Sequence, residues 1–203
     1  MLLKKDKYKK PIAIFRKLGG TARTSEIINA RIHPRTLYEM LAAGVVEKLS
    51  RGLYRLVEMP PLGNPDLVSV SMRVPHGVVC LISALSFHEI TTQIPHEVHL
   101  AVSRNSKVPN IDYPPVRIFR FSGNSYSEGI EPQKVDDISV RIYSPAKTLA
   151  DCFKYRNKIG LDVAVESLKL YRKSKRFSVD ETLHFARMCR VEKVMRPYLE
   201  ALL

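Results

Sequence analysis

Apolar residues recur at three- and four-residue steps from Tyr8 through Ile12 and Phe15 to Leu18, while lysines and Arg16 fill the other positions. That spacing predicts an amphipathic helix, which Gly19-Gly20 ends. Thr21-Ala22-Arg23 is too short for a helix and reads as an extended stub. Thr24 then caps a second short helix carrying Ile27, Ile28 and Ala30. A third helix opens at His33-Pro34, where proline suits the first helical position, and runs through Leu37, Met40 and Leu41 to a stop at Gly44. Val45–Leu49, Ser50-Arg51-Gly52 and Leu53–Val57 read as two strands around a glycine turn, a hairpin with arginine at its tip.

Helix, stub, helix, short turn, helix and hairpin is the order of a winged helix-turn-helix, whose third helix enters the DNA major groove. If Leu37, Met40 and Leu41 face inward, then His33, Arg35, Thr36, Tyr38 and Glu39 point elsewhere. Arg35 offers two parallel donors to guanine, Thr36 a hydroxyl and methyl, and Tyr38 an apolar edge with a hydroxyl. Arg23, Thr24 and Ser25 at the second helix start, with Arg51 and Arg55 on the hairpin, are the candidate phosphate contacts. Charge strengthens this reading. The chain carries +13 overall, and its first sixty residues hold 13 basic against 5 acidic side chains, a balance that favours a polyanionic partner such as double-stranded DNA.

Met59-Pro60-Pro61-Leu62-Gly63-Asn64-Pro65 breaks all periodicity and marks a boundary. The expected organisation is a winged helix-turn-helix over residues 1–58, a linker over 59–65 and a second domain over 66–203. In that domain 66–74 and 78–90 read as helices. Glu97–Val102, Val116–Phe121 and Ile138–Tyr143 alternate as half-buried strands, and 145–155, 161–171, 179–188 and 191–202 are helical. The fold class is α+β, with a small sheet followed by a helical C-terminal part.

No catalytic constellation or cofactor motif emerges. His96-Glu97-Val98-His99 lacks one residue for a two-histidine zinc helix and opens a strand. Ser144-Pro145-Ala146-Lys147 has the letters of a serine-lysine hydrolase without its partner motifs, and serine before proline is ordinary helix capping. Asp136-Asp137 and Glu131-Pro132-Gln133-Lys134 lack the carboxylate spacing of a metal-dependent nuclease. Cys80, Cys152 and Cys189 lie in apolar, helix-like contexts expected of reduced core cysteines. No run approaches a membrane span, and the start Lys4-Lys5-Asp6-Lys7 leads into an amphipathic pattern, which points to the cytoplasm. A basic face is expected from Lys147, Lys154, Arg156 and Lys158, continued by Lys169, Arg172, Lys173, Lys175 and Arg176.

Gly19-Gly20, Gly52-Leu53-Tyr54-Arg55, Ser83-Ala84-Leu85-Ser86-Phe87-His88, Ser144–Asp151 and Lys154-Tyr155-Arg156 together resemble the AbiEi family of antitoxins. The resemblance implies an N-terminal domain that binds inverted repeats upstream of its own operon and represses it. It also implies a second domain that neutralises a nucleotidyltransferase-like toxin, AbiEii, in a type IV toxin-antitoxin system of phage defence. On that reading the Lys147, Lys154, Arg156 and Lys158 face is the antitoxin surface, and no enzyme activity, cofactor or metal is expected. A stand-alone winged-helix transcription factor and a DNA-acting nuclease are the alternatives.

Overall fold

The computed structural model describes residues 7–136 and 138–202; Lys4, Lys5 and Asp6 of the lysine-rich start, and Asp137 of the aspartate pair, lie outside the described residues. The chain divides into two units, one reaching Met72 together with Lys134–Ile138, the other formed by Arg73–Gln133 and Ser139–Leu203.

The first unit begins with helix α1 (Lys9–Lys17), whose inner positions Ile12 and Phe15 are buried while its lysines face water. Strand β1 (Thr21–Arg23), helix α2 (Thr24–Asn29), helix α3 (Pro34–Ala42) and strands β2 (Val46–Ser50) and β3 (Leu53–Leu56) follow. β1 and β2 both pair antiparallel with β3, which is therefore the middle strand. Phe15, Ile27, Leu37, Met40, Val46 and Leu56 meet in one core. Full burial of each such side chain contributes about 1.5 to 3 kcal/mol relative to exposure. Gly20 makes the corner after α1 possible. Its φ of 78° lies in the left-handed region, its N–H donates to the Phe15 carbonyl and its own carbonyl accepts from Leu56. A Cβ there would also come within 2.8 Å of the Met59 side chain.

Helix α4 (Pro65–Arg73) closes this unit. The Asp136 carboxylate accepts from the backbone N–H groups of Gly63 and Asn64, at 3.0 and 3.2 Å, just ahead of it.

The second unit holds strand β4 (Val78–Val79), helix α5 (Leu81–Phe87), strands β5 (Val98–Ser103) and β6 (Val116–Phe121), and the short helix α6 (Asn124–Ser127). Strands β7 (Ile130–Val135) and β8 (Ile138–Tyr143), apart from their adjoining ends within Lys134–Ile138, and helices α7 (Pro145–Lys154), α8 (Arg156–Ile159), α9 (Leu161–Arg172), α10 (Val179–Met188) and α11 (Glu192–Glu200) complete it. The sheet order is β6-β5-β4-β8-β7, with β5 antiparallel to β4 and parallel to β6, and β8 parallel to β4. α7 is the central helix and touches α5, α9, α10 and α11. Its turns run through buried Leu149, Ala150, Cys152 and Phe153. The molecule is α+β, with two sheets.

Three expectations need correction. Residues 78–90 are not one helix: Val78-Val79 is a strand, Cys80 is extended and the helix begins at Leu81, because a continuous apolar run reads alike for a buried strand and a buried helix. β5 does not alternate between core and water; Val98 through Val102 are all buried, in the inner part of the sheet with helices α5 and α6 against the strand. β7 was not expected from the sequence at all, since Pro132 and the polar Glu131, Gln133 and Lys134 give it no strand signal. It lies at an edge of the sheet, where a proline is tolerated.

Candidate nucleic-acid interface

α3 begins where His33 takes an extended backbone and its Nδ1 accepts the Arg35 N–H at 3.1 Å, with Pro34 in the first helical position. His33 is thus a cap, and Nε2 is the ring nitrogen left for a further partner. Leu37 and Met40 are buried, whereas the Arg35 side chain is 84% exposed and Tyr38 is 60% exposed. Thr36 is half-buried. Arg35 Nε donates to Glu39 Oε1 at 3.2 Å across one turn, and Glu39 Oε2 also accepts from Lys7 at 2.7 Å. The Lys7 hydrogen bond and charge are the main reason the Glu39 carboxyl is held below its usual range, with Arg35 adding to them. Both pairs are solvent-exposed, so their net stabilisation is small. Tyr38 interacts with buried Tyr54 on β3, whose phenol is raised chiefly by burial and then by Tyr38.

The second helix is placed against the hairpin turn. The Thr24 N–H and hydroxyl both donate to the Gly52 carbonyl, at 2.9 and 3.3 Å, and the Arg23 N–H donates to Glu26 Oε2 at 2.7 Å. Thr24 is therefore the first helical residue rather than the cap, and Arg23 occupies the cap position. Ser25 and Arg51 are exposed beside this junction; Arg23 is half-buried, its Nε enclosed and without a hydrogen-bond partner. Gly52, with φ 75°, gives the turn its left-handed residue.

Arg55 does not match its expected role as a phosphate contact. It is 6% exposed, donates to the carbonyls of Met59 (3.4 Å) and Pro60, and lies 3.5 Å from the Glu47 carboxylate. Strand alternation turns it toward the chain leaving β3. Lys147 likewise leaves the expected antitoxin surface: it is fully buried, with Nζ 2.5 Å from Asp151 Oδ2. Its burial follows from the central position of α7, whose residues from Pro145 through Phe153 are all buried, so that no face of these turns meets water. Lys154 and Lys158 are exposed, Arg156 is half-buried with its guanidinium donating to the Phe153 carbonyl at 2.8 Å, and Arg176 forks onto Glu131 at 2.7 and 2.9 Å. Sequence reasoning missed the part Lys7 and Glu39 play in holding Arg35; no local motif links residues 32 positions apart.

Residues 9–57, the stretch that builds this interface, match the model of a family described as transcriptional regulator, AbiEi antitoxin. This segment belongs to the AbiEi family. AbiEi is a family of regulatory antitoxins rather than of enzymes. Beyond the AbiEi segment, the whole chain is similar in fold to the RV2827C protein from Mycobacterium tuberculosis, known from a crystal structure. The TM-score is 0.59 at 12% identity, over 95% of this chain and 80% of that one. No curated protein matches the chain in sequence. Among the described residues no helix is long and apolar enough to cross a membrane, and no group of three His, Cys, Asp or Glu is arranged to hold a metal ion.

Proposed function

We propose that the protein is an operator-binding repressor and antitoxin, in which residues 1–58 act as a winged helix-turn-helix, 59–65 as a linker and 66–203 as the neutralising domain. The observation that carries this reading is the AbiEi match over 9–57 coinciding with a helix, α3, that exposes Arg35 and Tyr38 with the half-buried Thr36 between them. α3 lies in the major groove of inverted-repeat DNA upstream of the protein's own operon, with Arg35 on a guanine edge and Tyr38 beside it. Ser25 and Arg23 at the α2 start and Arg51 on the wing take phosphates, while Thr24, whose two donors are held by the Gly52 carbonyl, fixes the helix start against the wing. Arg55 is omitted from this set, and His33 serves as the cap that presents Arg35. Lys154, Arg156 and Lys158 form the surface that opposes a nucleotidyltransferase-like toxin.

The test is binding of the full chain to its upstream DNA at several salt concentrations, beside a scrambled duplex. Selective binding that weakens steeply with salt is expected. Arg35→Ala should weaken operator binding by about 1 to 3 kcal/mol and relax sequence preference, whereas Arg51→Ala should weaken all duplexes and lower the salt slope by about one unit. Equal affinity for both duplexes would overturn the repressor reading. For neutralisation, a Lys154, Arg156 and Lys158 triple substitution to serine should abolish rescue of toxin-expressing cells while operator binding persists.

A second reading is favoured by one observation, that the family match ends at residue 57 and leaves the second unit unmatched. On it, the chain is a stand-alone winged-helix regulator. Failure of the unaltered chain to rescue cells from the neighbouring toxin, with operator binding intact, would select it.

A further inference from the structure

The second unit contains a pocket of about 510 Å³ at the place where β6, α6, the end of α7 and the turn between α10 and α11 converge. Its polar lining is Ser122, Asn124, Ser125, Lys154 and Arg190, and Met188 and Cys189 supply the rest. The size is that of a site for a small molecule. Two cations and three uncharged hydrogen-bonding side chains face this space, and no carboxylate lines it.

Asp151 lies behind the lining residue Cys189, and it is already engaged. It is fully buried, paired with Lys147, and accepts the Cys189 thiol at 3.3 Å. Burial pushes that thiol up to about 12, so Cys189 stays protonated and is a donor, not a nucleophile. Lys154 lies with its ammonium 5.9 Å over the Phe121 ring. Among the described residues neither Lys154 nor Arg190 has an ion-pair partner, although the same unit pairs Arg176, Arg187 and Arg196 with glutamates.

Backbone geometry adds an independent observation. Arg190 follows the end of α10 with φ 59°, the left-handed conformation in which helix ends usually place glycine. The turn that ends α10, in which the N–H groups of Arg190 and Val191 close on the carbonyls of Arg187 and Ala186, thus sets the Arg190 side chain beside the pocket.

We propose that this pocket binds a small phosphate monoester, its phosphate held between Lys154 and Arg190 with hydrogen bonds from Ser122, Asn124 and Ser125, and its organic part against Met188. Guanidinium and ammonium groups favour a compact dianion, and the hydroxyl and amide groups satisfy its remaining oxygens. The ligand makes the second unit responsive to the level of a phosphorylated metabolite. This is separate from the operator reading, since every pocket residue lies outside 9–57.

The test is calorimetric titration of the full chain with inorganic phosphate, adenosine monophosphate and adenosine at fixed ionic strength. Phosphate and the monophosphate are expected to bind and to compete with each other, the monophosphate more tightly, and adenosine is expected to give no heat. Arg190→Gly, which installs the residue the backbone prefers and leaves Lys154, Arg156 and Lys158 in place, should melt no lower than the unaltered protein. It should weaken monophosphate binding about tenfold or more, as should Lys154→Gln. Undiminished affinity in both variants, or heat from neither phosphate nor the monophosphate, would overturn the proposal. So would binding confined to a 5′-phosphorylated DNA strand, which would assign the pocket to nucleic acid. Operator binding, measured on the same preparations, reports on the repressor reading alone.

Discussion

Lys147 is the side chain most at odds with its chemistry. Its ammonium is sealed beside Asp151, 4.2 Å above the Tyr143 ring and 4.9 Å from the Phe121 ring. Burial drives the Asp151 carboxyl above the usual range against the pull of Lys147 and the Cys189 thiol. A buried pair contributes little net stability, yet removing one partner strands the other charge in an apolar medium. Lys147→Met should therefore destabilise the protein by about 3 to 5 kcal/mol, measured by urea unfolding. Adding Asp151→Leu should recover most of that loss; a double variant as unstable as the single would show that the pair is not what the core requires. Nothing in the sequence separates Lys147 from Lys154. They lie seven positions apart on α7, two helical turns, but the helix has left the core by Lys154. Side-chain identity suggests a basic face, whereas burial on opposite parts of α7 separates a core residue from a surface one.

Elements with their own punctuation are legible. α10 starts at Ser178, whose Oγ accepts the Glu181 N–H, and α7 starts at Ser144-Pro145, because these signals are local. β4 and β7 are hidden for opposite reasons, one being uniformly apolar and the other polar with a proline. The turn between α2 and α3 is a third kind of case, with no glycine to announce it. Arg31 takes φ 64° there, while Arg31 N–H and Ile32 N–H close on the carbonyls of Ile28 and Ile27. Arg31→Gly should stabilise the first unit by about 1 kcal/mol by removing left-handed strain, visible as a higher melting temperature. A lower one would mean that the arginine side chain itself holds the turn. The outward set on α3 is legible because Leu37 and Met40 define its inner stripe, whereas the burial of Arg55 depends on the carbonyls of Met59 and Pro60, which no periodicity foretells.

For the whole molecule, charge and burial pull in different directions as pH changes. His88 and His99 are both enclosed in the second unit, His88 bonded to the Tyr143 carbonyl at 2.7 Å and His99 packed edge-on to Phe119. Burial is the leading cause that lowers both below the ordinary value of 6.5. A base depressed in the folded state contributes stability that is complete above its unfolded value and is lost as pH falls below it toward the folded value. The melting temperature should therefore drop between pH 7 and pH 5, and His99→Gln should flatten part of that slope; an unchanged slope would assign the acid sensitivity elsewhere. The edges of the five-stranded sheet have a further consequence. β7 offers Pro132, which has no N–H to give, and β6 carries exposed Arg117 and Arg120, the latter turned back onto the carbonyls of Ser103, Arg104 and Ser106. Both flanks thus disfavour extension by a strand from another chain, which is how a sheet with open edges is kept from growing copy by copy.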